Sequence, residues 1–269
     1  MSTGFVLHVE GIGICCAGWP DWPAAQAALC GNVEDAPYAA PVRPAPSLLA
    51  AAERRRAPDS VLLAVEVAQQ ACTMAAREAR DLPHVFGSAY GDLPINDYLC
   101  ATLARAPLDL SPTKFHNSVH NAPAGYWTIA TGCGECSTAL SAGADTFGAA
   151  LLEAGAFAEA EQRAVLLVAY DVAATGMLAD VVDCANPFAV ALVLAPPGVA
   201  RNALAKVRVT RAQAADVSLA PGFELLHASH RDNPAARCLP LLAALARRRA
   251  QRLCIDAAPN LKLLVETLV

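Results

Sequence analysis

The feature that most constrains the fold is the run from Gly143 to Ala154, which carries Ala, Gly and Leu on nearly every helical face. A helix with so little charge has to be buried on most sides, which predicts a position at the centre of a large layered fold. The run closes a longer segment, residues 111–155. Before it come a His- and Asn-rich stretch, a short apolar helix at Ala124 to Thr131, and Ser137 to Ser141 as a buried strand or turn.

Two uninterrupted apolar runs, Ala164 to Tyr170 and Phe188 to Ala195, predict strands that are covered on both faces. Leu204 to Thr210 alternates apolar and polar residues, so it predicts a strand with one solvent face. Further strands are predicted at 5–9, 84–89, 253–256 and 261–268. They alternate with predicted helices at 19–29, 59–80, 95–104 and 239–249. This alternation indicates an α/β architecture.

The intervening segments are read as turns and loops. Gly11-Ile12-Gly13 predicts a turn, and the four prolines between Asn32 and Ser47 predict a surface loop. A chain of 269 residues is long enough for one large domain or for two closely joined halves.

Composition narrows the class of partner. Apolar residues make up 55% of the chain and charged residues only 17%, which is consistent with an apolar surface used for a partner or with a large Ala-rich core. The net charge of −5 does not favour nucleic acid. No apolar run is long enough to span a membrane, and the N-terminus lacks a signal-peptide core. Ten cysteines without such a signal predict reduced thiols in a cytoplasmic protein.

Several polar constellations could carry chemistry. Cys133 and Cys136 form a single CxxC, which is too few ligands for zinc, so we predict packing thiols and no metal site. The vicinal Cys15-Cys16 pair is interpreted in the same way. Glu53 to Arg56 is a charged run that predicts a solvated helix face, and His227 and His230 are assigned to a surface loop.

A dense cluster of His116, Asn117, His120 and Asn121 favours a buried hydrogen-bond network or a subunit contact. Acid–base catalysis by these residues needs a paired nucleophile, and none is obvious nearby. The chain has no glycine-rich phosphate loop and no GxSxG motif, so no cofactor is predicted.

Several segments resemble β-ketoacyl synthases. The opening strand, GxG and helix are similar to theirs, as are the motifs VFGSAYGD, NAPAG at Asn121 to Gly125, and Asn186-Pro187-Phe188 with VALVLA. The combination of ERRRAP, FGSAYGD and SPTKFHNSVHNAPAGYW is most similar to ketosynthase-like chain length factors of bacterial aryl polyene (xanthomonadin-type) pigment biosynthesis. The resemblance extends from Phe5 to Ala195.

The resemblance implies a thiolase-like layered α-β-α-β-α fold with a complete N-terminal half, 1–185, and a shortened C-terminal half, 186–269, in a single domain. It also locates the nucleophile. A ketosynthase needs a Cys at the start of its central helix, and here that position falls on Gly143. Two histidine motifs of the family, HGTGT and GHxxxA, are missing as well. Because nucleophile and histidines are absent together, we expect no catalytic residue and no condensation chemistry.

A degenerate copy can still serve as a subunit. The family forms two-fold dimers in which a sheet continues across the interface and each subunit supplies walls to the other's acyl tunnel. We therefore expect a heterodimer with an active ketosynthase. The ketosynthase would bind the acyl carrier protein, and this chain would limit the length of the product. The tunnel or interface candidates are Phe115, His116, Asn117, Val119, His120, Asn121, Tyr126 and Trp127.

Two alternatives stay open at this point. One is a stand-alone acyltransferase or thioesterase that uses Cys136 or Ser141 with His116 or His120. The other is a homodimeric scaffold that binds an acyl carrier without shaping a product.

Overall fold

A computed structural model describes residues 4–31, 43–213, 230 and 232–268. The strands are β1 (Phe5–Cys16), β2 (His84–Gly87), β3 (Ser137–Leu140), β4 (Val165–Asp171), β5 (Phe188–Ala195), β6 (Ala205–Arg211), β7 (Gln251–Ala258) and β8 (Leu261–Leu268). The α-helices are α1 (Trp22–Cys30), α2 (Ala51–Arg56), α3 (Asp59–Ala75), α4 (Leu93–Arg105), α5 (Pro112–Asn117), α6 (Ala122–Thr131), α7 (Thr146–Glu161) and α8 (Leu239–Ala246). Short 3₁₀ helices include Pro107–Asp109, Gly143–Asp145, Gly176–Asp180 and Pro234–Cys238.

The described strands form one eight-stranded sheet in the order β3-β2-β4-β5-β1-β6-β8-β7. β3, β2 and β4 are parallel, whereas every other neighbouring pair is antiparallel. The long strand β1 joins the two parts of the sheet, because its first residues pair with β6 and its later residues pair with β5. β3 and β7 are the two edges.

The apolar strands lie at the centre, as their sequences predict. Every residue of β4 and β5 is buried, and helices or strands cover both of their faces. α3 and α6 pack on one face, while α1, α7 and α8 belong to the core on the other. A strand buried on both faces has no polar side to show, which explains why these two runs lack alternation.

The small-residue run forms a central helix from Thr146 onward, whereas Gly143–Asp145 is a separate 3₁₀ helix with no buried residue. α7 contacts β2 and β4 on one side and β7 on the other, so the curled sheet encloses it. Gly148 makes this possible, since a Cβ there would collide with the backbone carbonyl of Asp256. The layered α/β fold is confirmed, and its described strands belong to one continuous sheet. The proposed boundary between residues 185 and 186 stays a prediction.

The Gly11-Ile12-Gly13 prediction was wrong, because this segment is the middle of β1 and not a turn. The glycines serve a tertiary contact. A Cβ at Gly11 would collide with the carbonyl oxygen of Ala71, and one at Gly13 with that of Val67, both on α3. The backbone of α3 therefore lies directly on the strand, and the register shifts between Val9 and Gly11.

Other differences are local. Ser137 to Ser141 is not a buried strand: β3 is an edge strand with Ser137 exposed. α3 stops at Ala75 because Ala76 adopts a left-handed conformation with φ 49° and ends the helix. His230 is buried against Phe188 instead of lying in a surface loop. His227, and residues 32–42 of the predicted proline-rich loop, lie outside the described residues.

Two further observations concern the described residues alone. None of their helices is both long enough and apolar enough to cross a membrane. No group of three or more His, Cys, Asp or Glu side chains among them is arranged to hold a metal ion.

Candidate functional site

The turn between β3 and α7 is the point at which the sequence places the family nucleophile. Gly143 lies there with φ 57°, in the left-handed region, and is exposed. A Cβ at this position would meet no heavy atom within 4 Å. The site is therefore open in space, and its backbone conformation favours glycine.

Thr146, the first residue of α7, fastens this turn. Its hydroxyl accepts a hydrogen bond from the Ala142 N–H at 3.0 Å and donates one to the Gly143 carbonyl at 2.7 Å. The segment from Ala142 to Thr146 is therefore fixed by side chain to backbone bonds, and Gly143 lies at its exposed tip.

A buried carboxylate lies at the neighbouring ends of β2 and β4. Asp171 Oδ1 accepts hydrogen bonds from Ser88 Oγ at 2.7 Å and from the backbone N–H groups of Ala89 at 2.9 Å and Tyr90 at 3.2 Å. Burial raises the pKa of Asp171 to about 7, although these three hydrogen bonds lower it. The buried Asn233 side chain donates to the Asp171 carbonyl at 3.0 Å.

Sequence reasoning missed this network. The available signal is the charged residue that follows an entirely apolar strand, because a carboxylate in such a position needs partners. Those partners come from distant segments, Ser88 from 83 positions earlier and Asn233 from 62 positions later.

His120 and Ser141 are attached to the same end of β2. The Nε2 atom of His120 lies 2.8 Å from the Ser88 carbonyl oxygen, so this nitrogen carries the proton and donates it. The Ser141 hydroxyl donates to the Ala89 carbonyl at 3.0 Å. Both groups are therefore bonded to backbone carbonyls, and the Ser141 proton is not directed at an imidazole.

Cys136 lies at the other end of β3 from Gly143. Its carbonyl accepts from the N–H of His84, the first residue of β2, whereas His120 binds beyond the last residue of that strand. Four residues of strand separate these points by about 13 Å. Cys136 and His120 are thus not arranged as a nucleophile and its base.

The CxxC does not form a redox pair in the structure. Cys133 is buried with its sulfur 3.9 Å from His84 Nδ1, and burial raises the pKa of its thiol. Cys136 is exposed and directly precedes an edge strand instead of beginning a helix, and none of the ten cysteines forms a disulfide. Neither thiol has the helix N-terminus that would activate it.

The tunnel or interface candidates divide into exposed and buried residues. Phe115 and Val119 expose 61% and 52% of their surface, and His116 and Asn121 are exposed as well. The candidates His120 and Tyr126 are half-buried. Asn117 is buried and accepts a hydrogen bond from the Tyr126 hydroxyl at 3.2 Å. Trp127, a residue of α6, is fully buried.

A groove of about 450 Å³ lies between α2 and α6. It brings four of the candidates together with the charged run of α2. The lining residues are Glu53, Arg56, His116, Val119, Asn121, Ala122, Gly125, Tyr126 and Ile129.

Large exposed apolar side chains are concentrated in one region. Most of those among the described residues lie on α4, α5 and α6 and on the adjoining turns and 3₁₀ helices, and only Val199 and Leu204 lie elsewhere. The cluster consists of Leu103, Leu108, Phe115, Val119, Ile129, Met177 and Val181. α4 contacts α5 and the 3₁₀ helices Pro107–Asp109 and Gly176–Asp180. α6 contacts the edge strand β3.

Comparisons with known proteins fit this architecture. Residues 19–236 match the sequence profile of the β-ketoacyl synthase N-terminal domain. No curated protein sequence matches the chain.

Many solved structures are similar, and three of them illustrate the likeness. A ketosynthase (ApeO) in complex with its chain length factor (ApeC) from Xenorhabdus doucetiae matches with a TM-score of 0.74 and 21% identity, covering 97% of this chain and 99% of that chain. AntDE:AntF, a type II PKS acyl-carrier protein in complex with its ketosynthase, gives a TM-score of 0.75 at 10% identity, and the match covers 99% of this chain and 100% of that chain. The ishigamide ketosynthase/chain length factor gives a TM-score of 0.54 at 14% identity, and the match covers 76% of this chain and 62% of that chain.

At these identities the structural likeness establishes the thiolase-like ketosynthase fold and nothing finer. The sequence profile covers most of the chain, including β2 to β5, the turn at Gly143 and the whole of α7. The chain therefore belongs to the β-ketoacyl synthase family, of which it carries the N-terminal domain.

Proposed function

We propose that this chain is a catalytically degenerate ketosynthase-like subunit, a chain length factor. It pairs with an active β-ketoacyl-ACP synthase and shapes that enzyme's acyl tunnel in aryl polyene or polyketide-type biosynthesis. The observation that carries the proposal is Gly143, exposed at the tip of the turn before α7 with φ 57°.

Condensation by a ketosynthase begins with a thiolate that attacks an acyl thioester. Gly143 offers only hydrogen at the corresponding position, and the nearest hydroxyl along the chain, that of Ser141, is bonded to the Ala89 carbonyl. The acyl chain and the carrier protein would therefore be held by the partner, while this subunit acts through its surface.

The cluster of exposed apolar side chains supports a protein partner on the face formed by α4, α5 and α6. Ile129, with 78% of its surface exposed, and Val119 lie at the groove between α2 and α6. Together with Tyr126 they would form the wall that closes the partner's tunnel.

The edge strand β3 supports a sheet that continues into the partner. Cys136 and Leu140 direct their carbonyls to β2, where the N–H groups of His84 and Ser88 donate to them. The intervening Ser137 and Ala139 consequently direct their backbone groups away from the sheet, where a second strand can pair with them.

Co-expression with an active ketosynthase encoded beside this gene tests the proposal. We expect a stable one-to-one complex by size-exclusion chromatography with light scattering. Ile129→Glu should abolish it, because the charge would be buried in the interface. Leu204→Glu, at an exposed apolar residue outside the cluster, is the matched control and should leave the complex intact.

Product length gives the functional readout. In the intact complex, Tyr126→Ala should open the wall and shift the products to longer chains, as measured by mass spectrometry. Incubation of the isolated chain with an acyl-carrier thioester should leave no acyl adduct. A stable adduct on Cys136 or Ser141, or an unaltered product length with Tyr126→Ala, would refute the proposal.

A further inference from the structure

A separate cavity of about 210 Å³ lies where the ends of β1 and β4 meet the beginnings of α3 and α4. It shares no lining residue with the groove between α2 and α6. The residues around it are Cys15, Cys16, Arg43, Pro44, Asp59, Leu63, Pro94, Val172, Ala173, Thr175 and Pro187.

The inner wall of this cavity is uncharged. Cys15, Cys16, Leu63 and Val172 each expose less than a tenth of their surface. Burial raises the pKa of the Cys15 thiol to about 12 and that of Cys16 further still, so both sulfurs are protonated at neutral pH. Buried neutral thiols behave as small apolar groups with weak hydrogen bonding.

The charges of the lining lie at its rim and neutralise each other. Arg43 Nε lies 2.7 Å from Asp59 Oδ1, and both side chains are more than half exposed. The Arg43 Nη2 atom also donates to the Ala57 carbonyl at 3.1 Å. Among the residues that the structure describes, no other part of the lining carries a full charge at neutral pH.

We propose that this cavity binds an uncharged apolar molecule, such as a substituted benzene or an alkyl chain of about six to eight carbons. A charged ligand would lose its hydration without gaining a counter-charge, because Arg43 and Asp59 already pair with each other. Water is also poorly held by the side chains of the inner wall, since an ordered water needs about 2–4 polar partners and Cys15, Cys16, Leu63 and Val172 offer only two weakly bonding thiols. An engineered apolar cavity of about 150 Å³ binds benzene, so the volume is adequate.

The proposal goes beyond the function above, because the site lies within this chain and needs no partner subunit. A bound molecule would contact both the beginning of α3 and the segment that follows β4, only one residue beyond the buried Asp171.

The experiment compares 1-octanol with octanoate, which differ in charge at one end of the same carbon chain. Calorimetric titration and thermal unfolding of the full chain should show saturable binding of 1-octanol and of 1-hexanol. Octanoate should bind at least tenfold more weakly. Equal or tighter binding of octanoate, or no binding of either alcohol up to its solubility limit, would overturn the proposal.

Filling the cavity should remove the site. Leu63→Phe and Ala173→Leu are each expected to weaken 1-octanol binding at least tenfold. Ala179→Leu, at an exposed position outside the lining, should not change it. Ala173 is half-buried, so its replacement by Leu should be tolerated by the fold. Ala173→Leu therefore tests binding in the cavity even where Leu63→Phe prevents folding.

The cysteines give an independent readout. Methyl methanethiosulfonate, a small neutral thiol reagent, should modify Cys15 and Cys16 more slowly in the presence of 1-hexanol, whereas the exposed Cys30 should react at the same rate. Modification of all three at unchanged rates would contradict binding in this cavity.

Discussion

Asp171 is the residue whose burial has the clearest consequence for stability. Its pKa is raised from 3.8 to about 7, mainly by desolvation, so the folded protein binds a proton that the unfolded chain releases. This group therefore favours folding most at low pH, and its contribution is lost as the pH rises from about 4 to 7.

We predict that Asp171→Asn reduces this loss. Between pH 5 and pH 8 the wild-type free energy of unfolding should fall, through this residue, by on the order of 2 kcal/mol relative to the variant. Asn keeps a carbonyl oxygen for the Ser88, Ala89 and Tyr90 donors. Urea unfolding of both proteins across this pH range measures the difference.

Two buried histidines act in the opposite sense and have to be separated from Asp171. Burial lowers the pKa of His84 and of His230, so their contribution to stability is lost as the pH falls. Because both histidines are present in wild type and variant, the difference between the two profiles isolates Asp171. Parallel profiles would contradict the prediction.

Gly143 gives a second prediction at this scale. Gly143→Ala should lower the free energy of unfolding by about 1–2 kcal/mol, because a Cβ is unfavourable at φ 57° even though it meets no neighbour. Gly125→Ala is the control: its Cβ is equally unobstructed but lies within α6, so it should raise stability by about 0.5–1 kcal/mol. Equal urea-unfolding curves for the two variants would count against a left-handed turn at Gly143.

The sequence could identify Gly143 as a special position, since a resemblance aligned it with a known nucleophile. It could not identify the Asp171 network, whose members are adjacent only after β2 and β4 have paired. Trp127 illustrates the same limit. The resemblance made it a tunnel or interface candidate, but the turn of α6 directs it into the core.

At the scale of elements, one ion pair connects three segments. The buried Glu10, in the irregular part of β1, forms two hydrogen bonds with Arg77 just beyond α3, at 2.8 and 2.9 Å. Arg77 also donates to the Val199 carbonyl at 2.8 Å. Glu10 is completely buried and Arg77 is 11% exposed, so neither charge is well solvated.

We predict that Arg77→Ala destabilises the protein by about 3–5 kcal/mol, because Glu10 would remain buried without a counter-charge, although it would keep the hydrogen bond from the Arg201 N–H. Glu10→Gln combined with Arg77→Ala should recover part of the loss by removing the charge. Arg163→Ala, which breaks the more exposed pair with Glu135, should cost less than about 1 kcal/mol. Urea unfolding of wild type and the three variants measures these differences, and equal effects of Arg77→Ala and Arg163→Ala would refute the argument.

Elements defined by their own composition were predictable. β4, β5 and β8 occupy nearly their expected residues because uninterrupted or regular apolar patterns reflect burial directly. Gly11-Ile12-Gly13 was misread because its glycines serve contact with α3, which is 54 or more positions away in the chain, and not a local turn. β3 was misread because a four-residue segment does not reveal whether it is central or at an edge.

For the whole molecule, the question is which surfaces are left for a partner. Exposed apolar side chains are concentrated on α4, α5, α6 and the adjoining segments, of which α6 contacts the edge strand β3, whereas the outward positions of β6, such as Lys206 and Arg208, are charged. An edge with unpaired backbone groups beside an apolar surface is a favourable place for association. The heterodimer proposed here would use both features together.

Proline substitutions along β3 test this arrangement, because inward and outward positions alternate. The Ala139 N–H points away from β2, so Ala139→Pro removes a donor that is not bonded to the backbone of any described residue and that a partner strand could use. We expect the isolated variant to unfold within a few degrees of wild type but to lose its complex with the ketosynthase. The Thr138 N–H points toward β2, so Thr138→Pro should instead lower the unfolding temperature of the chain itself. Thermal unfolding and co-elution distinguish the two, and a complex that survives Ala139→Pro would mean that the sheet does not continue into the partner.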